Sequence, residues 1–137
     1  MYLAIDTSQH NKLIVGLKKE RRIFFRKIAV EFNEAEKLLP LIDDLLKKSK
    51  SRLADLKAIF VAVGPGPFTS LRIGITIANT LAYSLKIPVI GFKCREFKGI
   101  KEMLSKGEKR LSSKLKSKFV FPFYGLAPHI TKAKKKW

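Results

Sequence analysis

Apolar positions along the chain form short runs at first and helical spacing later. Residues 2–5 make a short apolar run closed by Asp6-Thr7-Ser8, side chains that bond nearby backbone and so favour a turn. Residues 12–17 predict a second strand, 18–21 a polar turn, and 22–30 a third strand rich in Ile, Phe and Val. Connections this short join neighbouring strands into an antiparallel meander. The period then changes. Ala35, Leu38, Leu39, Ile42, Leu45 and Leu46 follow helical spacing, with Lys37, Asp43, Asp44, Lys47 and Lys48 on the other side. Pro40 inside this pattern predicts a first-turn position or a mild kink.

A continuous apolar run at 58–63 reads as a strand covered on both faces. Gly64-Pro65-Gly66-Pro67 ends it, and Thr69 or Ser70 is placed to cap a helix over 71–85. That helix is apolar nearly all round. Leu71, Ile75, Ala78, Ala82 and Leu85 make one face, and Ile73, Ile77, Leu81 and Ser84 another, so it needs two surfaces to pack against. Gly74, Ala78 and Ala82 recur every four residues and permit close approach of another element. A last strand follows at 87–92, parallel to its predecessor because a helix joins them. The order β-β-β-α-β-α-β predicts an α/β fold of the ribonuclease H-like (actin/Hsp70-type) kind, with a mixed five-stranded sheet and only the first domain of such proteins.

Composition divides the chain. Residues 98–137 hold twelve Lys or Arg against two Glu, while 1–97 hold seventeen against nine acids, together giving the net charge of +18. The expected organisation is a folded domain over 1–97 and a basic C-terminal extension, or remnant of a second domain, over 98–137. Ile100, Met103, Leu104, Leu111 and Leu115 are loosely helical there, residues 119–123 read as an edge strand limited by Pro122, and 131–137 as a mobile basic tail. A field this positive favours a polyanion such as RNA, although a solvated lysine-rich surface would have the same composition. The single cysteine, Cys94, excludes an internal disulfide and a cysteine zinc site, and His10 and His129 share no ligand spacing. No metal and no cofactor is expected. The apolar runs are too short to span a bilayer and no signal peptide is visible, which predicts a cytoplasmic protein without membrane contact.

Three sites carry candidate chemistry. The Gly64–Ser70 turn joins a buried strand to a helix N-terminus, a place where free N–H groups attract anions. It is neither a Walker A loop nor a dinucleotide fingerprint, and Pro65 and Pro67 remove two donors. A structural turn is the simpler account, and a phosphate or nucleotide site built from Asp6, Thr7, Ser8, Gly64, Gly66 and Thr69 is the alternative. Asp6 ends the first strand, where it either bonds its own turn or lies near nucleotide and metal. Lys93 and Arg95 flank Cys94 and are placed to lower its pKa, yet no base or oxyanion site accompanies it. Asp43 and Asp44 read as a solvated helix face. The carboxylates of a ribonuclease H-type nuclease and a second phosphate loop of the Asp-x-Gly type are absent.

Three segments together resemble a known family. They are Leu3-Ala4-Ile5-Asp6-Thr7-Ser8, the helix Leu38-Leu39-Pro40-Leu41-Ile42-Asp43-Asp44-Leu45-Leu46, and Gly64-Pro65-Gly66-Pro67-Phe68-Thr69-Ser70-Leu71-Arg72-Ile73-Gly74. In order and separation they are similar to signatures of the TsaB (YeaZ-like) family, a subunit of the machinery that makes threonylcarbamoyladenosine in tRNA. The likeness covers roughly residues 1–97. Pro67 and Ser70 depart from the third signature, Glu34 stands where the family often has His, and the second α/β domain is largely missing, so a short form is implied.

The resemblance implies a non-catalytic subunit in tRNA threonylcarbamoyladenosine (N6-threonylcarbamoyl adenosine) modification. It would pair through its two helices with a TsaD-like transferase, be joined by a TsaE-like ATPase, or form a homodimer. The expected partner face is Leu38, Ile42, Leu45, Ile73, Ile77 and Leu81, with tRNA contacted through the basic C-terminal segment. Two rival readings remain: a minimal nucleotide-binding or hydrolytic actin-like remnant using Asp6, Thr7 and the Gly64–Ser70 turn, and a basic RNA-binding module.

Overall fold

The alternating runs at the start of the chain become β1 (Tyr2–Asp6), β2 (Lys12–Lys19) and β3 (Arg22–Ala29), followed by α1 (Glu34–Lys48), β4 (Ala58–Gly64), α2 (Phe68–Leu85), β5 (Val89–Lys93) and α3 (Ile100–Leu111). The computed structural model describes residues 1–112 and 118–123. The strands form one mixed sheet in the order β3-β2-β1-β4-β5. β1, β2 and β3 run antiparallel, while β1 pairs β4 and β4 pairs β5 in parallel. The expected α/β sheet is thus the observed one. The β2–β3 hairpin is tighter than expected, because β2 runs on to Lys19 and leaves only Glu20 and Arg21 to turn, Glu20 in the left-handed region with φ 57°.

β4 is buried at all seven positions, as its unbroken apolar run requires. Its two faces belong to two cores. On one, Leu3, Ile5, Leu13, Val15, Ile59 and Val61 pack with Leu38, Ile42 and Leu45 of α1 and Ile75, Ala78 and Ala82 of α2. On the other, Ala4, Ile14, Phe60 and Phe92 pack with Ile100, Met103 and Leu104 of α3. Among the described residues no helix is long and apolar enough to cross a membrane.

Three expectations need correction. The boundary at 97/98 falls just before a helix that covers the second face of the same sheet, so residues 100–111 are part of the domain rather than an extension of it. α3 is fastened by shape and charge together. Gly107 carries no side chain, and a Cβ there would lie 2.4 Å from the Phe60 ring. Lys18 pairs with Glu108 at 2.6 Å and Arg110 with Glu96 at 2.6 Å. The Arg110 guanidinium also lies 4.1 Å from the centroid of the Phe92 ring. Second, of the two readings of Pro40 the first-turn one falls, because Pro40 lies well inside α1, on the exposed side, where solvent can take the carbonyl it leaves unbonded. Third, residues 119–123 form no strand. This segment is tied down by the side-chain amide of Asn79, which donates to the Val120 carbonyl and accepts from the Val120 N–H, and by the Phe123 N–H donating to Val63 O at 2.7 Å. Leu115 and the 131–137 tail lie outside the described residues.

Met103 and Leu104 of α3 are fully buried. Met103→Ala is therefore expected to cost about 2–5 kcal/mol in urea denaturation, and a chain ended at Phe97 to lose cooperative unfolding. Unchanged stability in both would mean that α3 is dispensable to the fold.

Candidate functional site

The C-terminal ends of the parallel strands β1, β4 and β5 lie side by side, where open α/β sheets place their ligands. β1 delivers Asp6, Thr7 and Ser8; β4 delivers Gly64 and the loop to Gly66; β5 delivers Lys93 and leads into Cys94. Asp6 is buried, and its Oδ1 accepts from both the Ser8 N–H, at 2.9 Å, and the Ser8 hydroxyl. This is the self-bonded turn of a strand-end aspartate. Thr7 is fully buried, and its Oγ1 has no hydrogen-bond partner among the described residues. It lies against Gly74 of α2, where an added Cβ would come within 2.4 Å of that oxygen and 2.8 Å of Cγ2. Gly74, the first member of the small-residue repeat of α2, thereby lets the helix press on the end of β1.

The glycines of the turn are used in the same way. Gly64 holds φ at 110°, a conformation that favours glycine, and a Cβ there would lie 2.5 Å from the Phe123 carbonyl. At Gly66 a Cβ would lie 2.5 Å from the Ser8 carbonyl oxygen. The room that Gly66 makes is filled by an acceptor of the chain itself, not by converging N–H donors as a phosphate cradle needs. Helix α2 begins at Phe68, three residues earlier than expected, with Pro67 at its N-cap and the Leu71 N–H donating to Pro67 O. Proline is tolerated at this position because the N–H it lacks has no intrahelical acceptor at the start of a helix. Thr69 and Ser70 are thus inside the helix rather than capping it. Thr69 is exposed and lines hollows between α2 and α1. Of the six residues proposed for a phosphate or nucleotide, the structure brings together Asp6, Thr7, Ser8, Gly64 and Gly66, and turns Thr69 to the helical side.

The expected lowering of the Cys94 pKa is not observed. Burial pushes the thiol up, the nearby Asp6 carboxylate adds to this, and hydrogen bonds with Ser8 and Gly64 offset only part. Lys93 and Arg95 lie over the Phe123 ring, at 4.4 and 6.0 Å from its centroid. The thiol instead donates to the Pro65 carbonyl, at 3.3 Å. Among the described residues no group of three His, Cys, Asp or Glu side chains could hold a metal ion.

The helical face is the second candidate. Leu38, Ile42 and Leu45 are at most 2% exposed, so their side chains are spent on this chain's own core and are withdrawn from the expected partner face. A helix with one apolar stripe must turn it inward. Ile73, Ile77 and Leu81 are half-buried at the border of that core. Beside the first two lies a hollow of 400 Å³ lined by Ala35, Phe68, Thr69, Arg72, Ile73, Thr76 and Ile77. Phe68, which sequence reasoning did not place in the partner face, is 57% exposed, with the Arg72 guanidinium 5.0 Å from its ring centroid. Its position just after a Pro-Gly-Pro turn concealed it. The starts of the two helices are joined by Ser70 Oγ, which donates to buried Glu34 at 3.2 Å.

Gly74→Ala should destabilise the chain by about 1–3 kcal/mol, because buried Thr7 has little room to yield. Thr7→Ala in the same chain should restore part of that loss in urea melts, and additive effects would contradict the proposed contact. Cys94 should react with Ellman's reagent at neutral pH more slowly than free cysteine; a faster reaction would contradict the raised pKa.

Comparison with known proteins bears on the same region. A family model described as TsaD: tRNA N6-adenosine threonylcarbamoyltransferase matches residues 30–95. The chain is 39% identical over 87 residues, 64% of its length, to the tRNA threonylcarbamoyladenosine biosynthesis protein TsaB of Bacillus subtilis (strain 168), and the match spans 38% of that protein. It is 43% identical over 56 residues, 41% of its length and 24% of the relative's, to the protein of the same name from Escherichia coli (strain K12). Among solved structures, YeaZ from Pseudomonas aeruginosa superposes with a TM-score of 0.65 at 35% identity, covering 67% of this chain and 43% of that one. The matched length is about two-fifths of the Bacillus protein and of the solved neighbour. The five-stranded sheet is that of the actin-like, ribonuclease H-like fold which YeaZ has. Over about two-thirds of its length, this chain is similar to TsaB/YeaZ proteins.

Proposed function

We propose that this chain works in tRNA threonylcarbamoyladenosine biosynthesis as a non-catalytic subunit that pairs with a TsaD-type transferase in the cytoplasm. The observation that carries this reading is the helical face. Ile73, Ile77 and Leu81 stay half-exposed on a helix apolar nearly all round, and Phe68 stands beside a 400 Å³ hollow. Contiguous apolar surface of this kind marks a docking site. The relatives named above carry the pathway in their names, and the matched family model carries the transferase in its description. The strand ends support a structural part, since Asp6 is engaged by Ser8 and the glycine loop is filled by backbone.

Pairing would bury Phe68, Ile73 and Ile77 against apolar side chains of the transferase, leaving the polar side of α1 in water. A TsaE-like ATPase would join the pair. A second copy of this chain is the competing occupant of the same face.

Mixing the chain with the TsaD-type protein of the same source should give a one-to-one heterodimer by size exclusion with light scattering. Phe68→Ala should weaken that pairing tenfold or more, as expected for an aromatic anchor, and Asp44→Ala on the solvent side should leave it unchanged. Persistence of a homodimer in the presence of the transferase, or no affinity between the two, would contradict the reading.

A further inference from the structure

One strongly charged surface is absorbed neither by the strand-end site nor by the helical face. α3 lies over β1, β2 and β4, and the same side of β3 stays exposed at Ile23, Phe25, Lys27 and Ala29. The β2–β3 register pairs Ile14 with Lys27, Gly16 with Phe25, and Lys18 with Ile23. Gly16 faces α3, since a Cβ there would meet Ile100 and Leu104. Directly opposed residues share a face, so Ile23, Phe25 and Lys27 stand on the α3 side of the sheet. Phe25 is 49% exposed and Ile23 36%. Lys27 is exposed on the same face, and Lys101 reaches across from α3 with its Nζ 5.2 Å from the Phe25 ring centroid.

The carboxylates of α3 are already occupied. Glu108 is tied to Lys18 at 2.6 Å and Glu102 to Lys106 at 3.0 Å. Among the described residues Lys27 and Lys101 carry no ion pair, so the face keeps a positive field around a half-exposed phenyl ring. An aromatic platform beside basic side chains is the arrangement that takes a base by stacking and its phosphates by charge. We propose that this face binds RNA, with an unpaired base on Phe25 and backbone phosphates on Lys27 and Lys101. The apolar part is two side chains on a rigid strand, far less than the broad amphipathic face with which a helix enters a bilayer. It lies across the sheet from α1 and α2, so RNA and a protein partner could be held together. The choice of tRNA as the RNA rests on the function proposed above.

Unmodified tRNA should be titrated against the full chain at several salt concentrations, alone and in complex with the TsaD-type protein. Phe25→Ala should weaken binding roughly tenfold with an unchanged salt slope. Lys27→Ala and Lys101→Ala should each lower the slope of log affinity against log salt by about 0.7–0.9. Lys48→Ala, on α1 across the sheet, should change neither, and circular dichroism should show all four variants folded. Wild-type affinity in the β3 and α3 variants, or an equal loss with Lys48→Ala, would overturn the proposal. So would binding to anionic phosphatidylserine vesicles that is tighter than tRNA binding and is lost with Phe25→Ala. Heterodimer formation without these tRNA effects would sink this inference alone; the tRNA effects without a heterodimer would sink the pairing instead.

Discussion

The structure depends on β4 being buried on both faces. A strand of seven residues with no solvent side obliges the chain to build a layer above it and another below. α1 and α2 supply the first layer, and α3 supplies the second. The spacing between layers is then set by what is missing from certain side chains. Gly74 admits Thr7 beneath α2, Gly107 admits the Phe60 ring beneath α3, and Gly16 admits Ile100 and Leu104. Protein interiors tolerate little excess volume, so these three positions fix how closely the helices lie on the sheet.

Much of this was legible because period and length decide the matter for strongly patterned segments. The meander, the buried strand and both long helices are present where alternation, continuous apolar runs and helical spacing place them. α3 was harder to read. Its inward stripe is Ile100, Met103, Leu104 and Gly107, and a glycine in that stripe counts as polar punctuation in sequence although here it makes the contact with Phe60. The surrounding lysines made the segment look like a basic extension of the domain, whereas Lys18 and Glu108 fasten helix to sheet and Arg110 and Glu96 fasten it to the turn after β5. The start of α2 was misplaced for a related reason. Thr69 and Ser70 look like caps, but the helix already begins at Phe68 with Pro67 as its N-cap.

At the candidate sites, position was legible and role was not. Asp6, Ser8 and Gly66 are adjacent as the strand order requires, yet sequence cannot say whether a glycine opens space for a ligand or for the neighbouring backbone. Here Gly66 makes way for the Ser8 carbonyl. The partner face shows the same limit. Spacing put Leu38, Ile42 and Leu45 on one stripe without saying which way it turns, and a helix with a single stripe spends it on its own core. α2, apolar on two sides, keeps Ile73, Ile77 and Leu81 half-exposed after its inner face is packed. Phe25 was hidden as one of several aromatic residues in a strand. Its exposure follows from its place on the outermost strand, beside α3 rather than beneath it.

Together these features describe a domain whose chemistry-like end is closed by its own backbone and whose open surfaces are an apolar helical face and a basic strand face. The reading that joins them is a subunit that supports tRNA modification without performing it. The most direct test is to measure threonylcarbamoyladenosine in tRNA, by mass spectrometry of digested nucleosides, from cells depleted of their own TsaB and supplied with this chain and the TsaD-type protein proposed as its partner. The account predicts that the modified nucleoside returns, and that Asp6→Ala, if folded, restores it as well as the wild type does. Failure of the folded wild-type chain to restore it while that partner is active with its own TsaB, or restoration abolished by Asp6→Ala in a stable chain, would contradict it.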